Sequence, residues 1–111
     1  VAHNAAFDMA FLRGAEETAG VSFDNPVLDT VLLSAFLEPD SPDHTLDALA
    51  TRYGIGFEPG TRHTALGDAR VTAWLFLSML PLLARRDVHT LGQAARASEA
   101  AAAIRRQQRR Y

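Results

Sequence analysis

With 111 residues, 48% of them hydrophobic, and a formal net charge of −2, the chain suits one compact domain rather than two. It has no cysteine, which excludes disulfide scaffolds and zinc–thiolate sites, and its slightly acidic balance argues against a generally basic nucleic-acid-binding surface. No signal peptide is visible, and the longest apolar run is predicted to fall short of a membrane span because Thr72, Ser78 and Pro81 interrupt it. We therefore expect a cytoplasmic protein with no membrane partner.

The first residues are predicted to lead from a strand into a helix. Residues 1–3 are typical of a strand end, and Asn4 is a suitable N-cap for a helix that runs to about Ala19 and stops at Gly20. Asp8 lies in the first turn of that helix, among apolar residues.

Two further elements are predicted in the middle of the chain. A brief buried strand over residues 26–29 hands over to a helix over residues 31–37. Asp29 most simply caps that helix, and a metal-binding role for it is the less favoured alternative. Residues 38–43 are a loop by composition, and a short helix is predicted over about residues 45–53.

The longest apolar run follows Asp68. Residues 71–83 are almost wholly apolar, so their helix is expected to be covered on most sides rather than along one stripe. An ionised carboxylate at the start of such a helix needs a partner. Asp68 is therefore either a metal ligand or an acceptor for backbone N–H groups at the helix start.

Two acids and one histidine are expected to share a site. Asp8 and Asp68 each lie near the start of an apolar helix, and His63 precedes the second of these helices. A divalent cation with hard oxygen ligands would give the two acids a common explanation. On a regular helix, His63 and Asp68 would point about 140° apart. We therefore predict that His63 lies in the loop ahead of the helix and bends back over the position that Asp68 faces.

The end of the chain differs in composition from the rest. We divide the chain into residues 1–86, which carry the candidate site, and residues 87–111, an alanine- and arginine-rich helical tail. Residues 94–104 are expected to pack only lightly because they have few large side chains. The four arginines within residues 105–110 could contact phosphates, lead into another domain or form a solvated tail, and we favour the last.

Two segments carry a resemblance to a known family. His3-Asn4-Ala5-Ala6-Phe7-Asp8 and His63-Thr64-Ala65-Leu66-Gly67-Asp68 resemble the second and third motifs of the DnaQ-like (DEDDh) 3′–5′ exonucleases, which include the proofreading subunit of bacterial DNA polymerase III. Between them, residues 29–33 and 44–55 resemble the family's strand-to-helix step and the short helix before its third motif. The resemblance covers about residues 1–83 in the family's order.

The resemblance implies an α/β, ribonuclease H-like exonuclease fold with one part missing. The family's first motif is an Asp-x-Glu pair on the first strand, upstream of the position of His3. Acid pairs such as Asp40 with Asp43, or Glu16 with Glu17, do not lie in apolar strands. We therefore expect the chain to be the C-terminal part of a longer protein, and to form a truncated, mainly helical part of the domain with a rudimentary sheet and low stability.

The resemblance also implies a reaction. Members of this family hydrolyse phosphodiester bonds at 3′ ends to nucleoside 5′-monophosphates with two divalent cations, Mg²⁺ or Mn²⁺. By resemblance, Asp68 binds the cation that holds the attacking water, and Asp8 serves the other cation partly through water. His63 would be the general base, a task that suits an imidazole near neutral pH.

Three further residues of the second motif are candidates for substrate binding. His3 and Asn4 could contact the substrate or only hold the turn, and Phe7 could contact it or only pack in the core. The expected partner is DNA with a single-stranded 3′ end, with RNA as an alternative substrate and a DNA polymerase subunit as a further partner.

Without the first motif, the chain alone is expected to be inactive or nearly so. The rival function is a non-catalytic nucleic-acid- or protein-binding module that keeps the exonuclease fold. A wholly unrelated helical interaction domain would require both motif matches and their order to be chance.

Overall fold

The structure is a computed structural model that describes residues 1–20, 22 and 27–108, apart from the side chains at positions 6, 7, 11 and 108. Within these residues it forms α1 (Ala5–Gly14), α2 (Glu16–Ala19), α3 (Thr30–Leu37), α4 (Leu46–Arg52), α5 (Ala65–Ala84) and α6 (Leu91–Gln108). The described part of the chain is thus mainly helical, as predicted.

Extended backbone pairs at one parallel bridge, between Ala2 and Asp29. The Ala2 N–H donates to the Leu28 carbonyl at 2.9 Å, and the Thr30 N–H donates to the Ala2 carbonyl at 2.8 Å. Residue 26, where the second strand was predicted to begin, lies outside the described residues. Since the described residues form no strand beyond this bridge, the rudimentary sheet is not confirmed.

The predicted first helix is divided into two. Ala15 separates α1 from α2, and its N–H donates to the Leu12 carbonyl at 3.1 Å in a tighter turn. Gly14, at the end of α1, has a low helix propensity and gives a physical reason for the break. Gly20 ends α2 in the left-handed conformation, with φ at 71°, as its position predicted.

The buried carboxylate of Asp29 joins the starts of two helices. Its Oδ1 accepts hydrogen bonds from the backbone N–H groups of Asn4 and Val31, both at 2.9 Å, and its Oδ2 accepts one from Ala5 at 2.8 Å. Asn4 occupies the N-cap position of α1, but its side chain makes no capping hydrogen bond. Asp29 therefore caps α1 from a distance and caps α3 locally, and the predicted capping of α3 is confirmed.

The hydrophobic core lies between α3, α4 and α5. α3 packs against both α5 and α6, and α4 packs against α5. The largest apolar side chains with almost no exposed surface are Leu33, Leu49, Leu75, Met79 and Leu83. Thr45 caps α4 by accepting a hydrogen bond from the Ala48 N–H at 3.3 Å, and α4 lies where it was predicted.

α5 is buried along one stripe only. Within the described residues, Trp74, Leu77 and Leu80 are 60%, 51% and 43% exposed, so the prediction that this helix is covered on most sides is wrong. By length and composition alone, with 20 residues and a mean hydropathy of 1.3, α5 reaches the range of a membrane-crossing helix, which the interrupted apolar run was predicted not to reach. Its buried stripe packs against α3 and α4.

α6 packs more closely than its composition predicted. It begins at Leu91, three residues before the predicted start. Small side chains let its backbone approach α3, because they leave little bulk between two helices. The buried residues of α6 are Ala94, Ala97, Ser98 and Ala101. The division of the chain after residue 86 stays a prediction.

Replacing Asp29 tests its role as a shared cap. Asp29→Ala should lower the free energy of unfolding by roughly 2–4 kcal/mol, because it removes the acceptor of three backbone N–H groups. Asp29→Asn should cost less, about 1–2 kcal/mol, since the amide oxygen can still accept from two of the three N–H groups, although the amide NH2 cannot accept from the third. The measurement is urea unfolding followed by far-ultraviolet circular dichroism. Asp40→Ala, at an exposed loop position, is the control, and equal losses at both positions would contradict the shared cap.

Candidate functional site

An open cavity of about 840 Å³ brings the two motif segments together. It lies between the first residues of the chain, the start of α5 and the loop before α4. Four predicted site residues line it: His3, Asn4, Asp8 and Asp68. Three residues that the sequence did not single out as site residues also line it: His44, Arg62 and Arg105.

Asp68 lies in the first turn of α5 with both carboxylate oxygens engaged. Its Oδ2 accepts a hydrogen bond from Arg62 Nη1 at 2.7 Å, and its Oδ1 accepts one from the His63 backbone N–H at 3.1 Å. Asp68 was predicted to be either a metal ligand or an acceptor for backbone N–H groups, and it does accept from one such N–H group. The arginine supplies the rest, and it immediately precedes His63 in the sequence.

Arg62 links the loop before α5 to α4. Its guanidinium donates to Asp68 and, through Nε and Nη2, to the carboxylate of Asp47, with Nη2 at 3.1 Å from Oδ2. It also lies over the ring of Phe57, 5.2 Å from the centroid. The hydrogen bond to Asp47, followed by that to Asp68, raises the pKa of Arg62, and Arg62 in turn lowers the pKa of the exposed Asp47. The charged guanidinium of Arg62 therefore lies next to the Asp68 carboxylate.

His63 lies in the loop, as predicted, but its imidazole does not line the cavity. α5 begins at Ala65 with Thr64 as the N-cap, so His63 precedes the helix. Its backbone N–H turns back to Asp68, while its side chain is exposed. His63 and Asn4 have φ angles of 72° and 63°, in the left-handed region that residues other than glycine rarely adopt. Such strained backbone is concentrated at functional sites.

Asp8 and Asp68 face the same cavity without forming a complete cation site. Asp8 lies in the first turn of α1 and is exposed rather than buried. Over residues 1–20, 22 and 27–108, no group of three or more His, Asp or Glu side chains could hold a metal ion. The two aspartates therefore fit a divalent cation only as part of a larger ligand set. The side chain of Phe7, the other candidate on α1, lies outside the described part of the structure.

His3 and His44 are half-buried histidines of the cavity wall. His3 Nδ1 lies 2.7 Å from the Thr30 hydroxyl oxygen. That hydroxyl oxygen also lies 3.2 Å from the Ala2 carbonyl oxygen, and its single proton can be donated to only one of these two partners. His44 Nδ1 lies 2.7 Å from the Ser34 hydroxyl oxygen. Burial is the main cause that lowers the pKa of each histidine, and the charge of Arg105 lowers the pKa of His44 further.

Gly67 allows the loop before α5 to pack against the first turn of the helix. A Cβ atom at this position would overlap the Thr61 carbonyl oxygen and lie 2.7 Å from the Thr64 hydroxyl oxygen. That hydroxyl caps α5 by accepting a hydrogen bond from the Gly67 N–H at 3.0 Å. A glycine beside Asp68 is thus required for the turn that delivers Arg62 and His63.

The profile of the exonuclease family RNase_T matches residues 1–76. This chain belongs to that exonuclease family. The matched part of the exonuclease domain includes residues 3–8 and 63–68, so both segments that carried the resemblance lie within it. The match and the names of its relatives confirm the resemblance to DnaQ-like exonucleases.

Relatives of this exonuclease domain are named as bacterial DNA polymerase III proteins. A DNA polymerase III subunit epsilon-like protein of Rhodobacter capsulatus is 54% identical over 92 residues, which are 83% of this chain and 13% of that protein. A PolC-type DNA polymerase III of Lacticaseibacillus paracasei is 40% identical over 80 residues, 71% of this chain and 5% of that protein. The PolC-type protein of Clostridium perfringens is 38% identical over 97 residues, 84% of this chain and 7% of that protein. The chain therefore spans a small part of each relative. No solved structure matches it.

Gly67→Ala should destabilise the exonuclease domain by about 1–3 kcal/mol, because the new methyl group forces the Thr61 carbonyl away. The matched control is Gly92→Ala near the start of α6, where the nearest atom to a new Cβ is 4.0 Å away. That change should stabilise the domain by up to about 1 kcal/mol through helix propensity. Thermal unfolding of both variants gives the comparison, and a stabilising Gly67→Ala would contradict the close approach.

Acidification should destabilise the domain through its half-buried histidines. Because burial lowers the folded-state pKa of His3, the unfolded chain binds more protons once the pH falls below about 6.5. The free energy of unfolding should therefore decrease as the pH falls through this value and on through the lowered pKa. His3→Asn should reduce this pH dependence, whereas His89→Gln, at an exposed position, should not. Urea unfolding between neutral pH and about pH 5 tests this, since most carboxylates stay ionised there. The same slope in wild type and His3→Asn would contradict the assignment.

Proposed function

We propose that the longer protein containing this chain is a metal-dependent 3′–5′ exonuclease of the DEDDh type. It hydrolyses phosphodiester bonds at nucleic-acid 3′ ends to nucleoside 5′-monophosphates. The observation that carries the proposal is that Asp8 and Asp68, from the two ends of the matched exonuclease region, line one cavity. The names of the relatives support DNA as the substrate, a DNA polymerase as the partner and the cytoplasm as the location.

Asp8 and Asp68 would supply two of the carboxylates that hold Mg²⁺ or Mn²⁺, and the Asp-x-Glu pair on the sheet of the complete ribonuclease H-like domain would supply the others. When bound, two such cations lower the pKa of the attacking water and stabilise charge on the reacting oxygens. Asp68 is held by the His63 N–H on one oxygen, so its other oxygen can exchange Arg62 for a cation without reorienting the carboxylate. The chain alone is then expected to be inactive, because it lacks the other carboxylates.

His63 would act as the general base that takes a proton from the attacking water. Its backbone N–H donates to Asp68, which holds the His63 backbone beside this carboxylate, and its side chain is exposed. For this role the imidazole would have to turn towards the cavity, which it does not line in this structure. His3 and Asn4 line the same cavity and would contact the substrate near its 3′ end.

A non-catalytic binding module with the exonuclease fold is the second candidate. The favouring observation is that Arg62 neutralises Asp68, while the described residues offer no group of three metal-binding side chains. Such a module would bind nucleic acid or protein at the cavity without hydrolysing it. The difference between the two candidates is therefore hydrolysis, not binding.

Shortening of a DNA strand from its 3′ end tests the proposal. The full-length protein should shorten a 5′-labelled single strand stepwise with Mg²⁺ or Mn²⁺, and EDTA should stop the reaction. His63→Ala should slow turnover by about 10²–10⁴-fold, the usual contribution of a general base, while DNA affinity changes far less. Gel analysis of the products measures turnover, and fluorescence anisotropy measures DNA affinity.

Controls separate the catalytic role from a loss of folding or binding. His89→Ala, at an exposed position in the link between α5 and α6, should leave turnover and DNA affinity unchanged. Equal losses of turnover and affinity in His63→Ala would argue against a general base. Binding without any shortening of DNA or of an RNA strand of the same sequence would favour the non-catalytic module.

A further inference from the structure

The C-terminal helix reaches the candidate site although it lies outside the family match. The exonuclease profile ends at residue 76, and α6 begins at Leu91. α6 packs against α3, and Arg105 in its last turn lines the cavity that Asp8 and Asp68 share. Arg105, the first arginine of the predicted solvated tail, therefore lines the site instead; Arg106 is exposed, and positions 109 and 110 lie outside the described residues.

The register of α6 explains why Arg105 turns inward. The buried residues of the helix recur every three or four positions, which places them on one face. These residues are Ala94, Ala97, Ser98 and Ala101. Arg105 follows Ala101 by four positions and so continues the face that packs against α3. Arg106 is turned by about 100° from it, and it is exposed and does not line the cavity.

Arg105 differs from the other arginines near the site in its partners. Arg52 pairs with Glu38, and Arg62 pairs with two aspartates. Among the residues that the structure describes, Arg105 forms neither an ion pair nor a hydrogen bond, although it is half-buried. Its charge acts on His44, another residue of the cavity wall.

A half-buried guanidinium without an anion at the wall of an open cavity is available to bind one. Arginine presents several N–H donors in a planar fork that matches a phosphate group. We propose that Arg105 binds a backbone phosphate of the nucleic-acid strand in this cavity, which makes α6 part of the substrate site. The identity of the ligand rests on the proposed function, whereas the placement of Arg105 does not.

Salt dependence of DNA binding tests the contact directly. In the full-length protein with EDTA present, Arg105→Gln should weaken binding of a single-stranded DNA by roughly 10-fold, as expected for loss of a charged hydrogen bond. The slope of log affinity against log salt concentration should become shallower by about 0.7, which corresponds to one phosphate contact on a single strand. In the hydrolysis assay, KM should rise with little change in kcat.

Two variants control for a purely structural role of this position. Arg106→Gln removes the same charge one residue away and should keep the wild-type slope. Arg105→Lys keeps the charge and should restore the slope while recovering only part of the affinity, because lysine lacks the planar fork. Equal slopes for Arg105→Gln and Arg106→Gln would overturn the proposal, as would a wild-type protein that binds no single-stranded DNA.

A second measurement uses the wild-type protein and does not depend on the folding of a variant. Bound DNA should protect Arg105, but not Arg106, from modification by phenylglyoxal, as read by mass spectrometry. Equal modification of Arg105 with and without DNA would also overturn the proposal. Neither the salt-dependence nor the protection experiment requires hydrolysis. If the protein binds DNA without shortening it, the exonuclease proposal is contradicted, and these two experiments still test the role of Arg105.

Discussion

The candidate site depends on one buried carboxylate. Asp29 accepts hydrogen bonds from the first backbone N–H groups of α1 and from the start of α3, and so fixes both helix starts to one point. A carboxylate with three N–H donors at two helix N-termini is well compensated for its burial. The same junction holds His3 against Thr30 and points the first turn of α1, with Asp8, at the cavity. Without Asp29, the described contacts between residues 1–8 and α3 would be the Ala2 bridge and the hydrogen bond between His3 and Thr30.

The third motif segment, residues 63–68, is held by a different means. Arg62 joins Asp47 of α4 to Asp68 of α5, and the absence of a side chain at Gly67 lets the loop lie against the helix. A guanidinium and a divalent cation would compete for the same oxygen of Asp68. The arrangement therefore keeps this carboxylate compensated whether or not a metal ion is present, which removes the cost of leaving an ionised acid beside an apolar helix.

Local sequence was enough to predict the helices whose start signals are strong. α3 and α4 have Asp29 and Thr45 as side-chain caps, and both helices lie where composition and capping placed them. The break between α1 and α2 at Ala15 was not predicted, because a single glycine such as Gly14 is often tolerated inside a helix. The close packing of α6 was missed because alanine spacing is a weak signal until a partner helix is known.

The sequence predicted some residues of the candidate site and missed others. Asp8 and Asp68 could be assigned to one cavity because two ordered motifs pointed to it. The direction of the His63 side chain could not, since it depends on a left-handed backbone conformation that no local rule predicts. Arg62 and Arg105 reach the cavity through a loop and through a helix register, both of which are tertiary features. The prediction from charge alone was therefore wrong for Arg105, which it placed in solvent with the other arginines of the tail.

The exposed face of α5 has a practical consequence for spectroscopy. The chain has one tryptophan, Trp74, and it lies on this face rather than in the core of Leu33, Leu49 and Leu75. Its indole is already in water in the folded chain, so its fluorescence reports poorly on whether that core is intact. The same indole is a sensitive probe for anything that covers α5, be it the remainder of a longer protein or a partner.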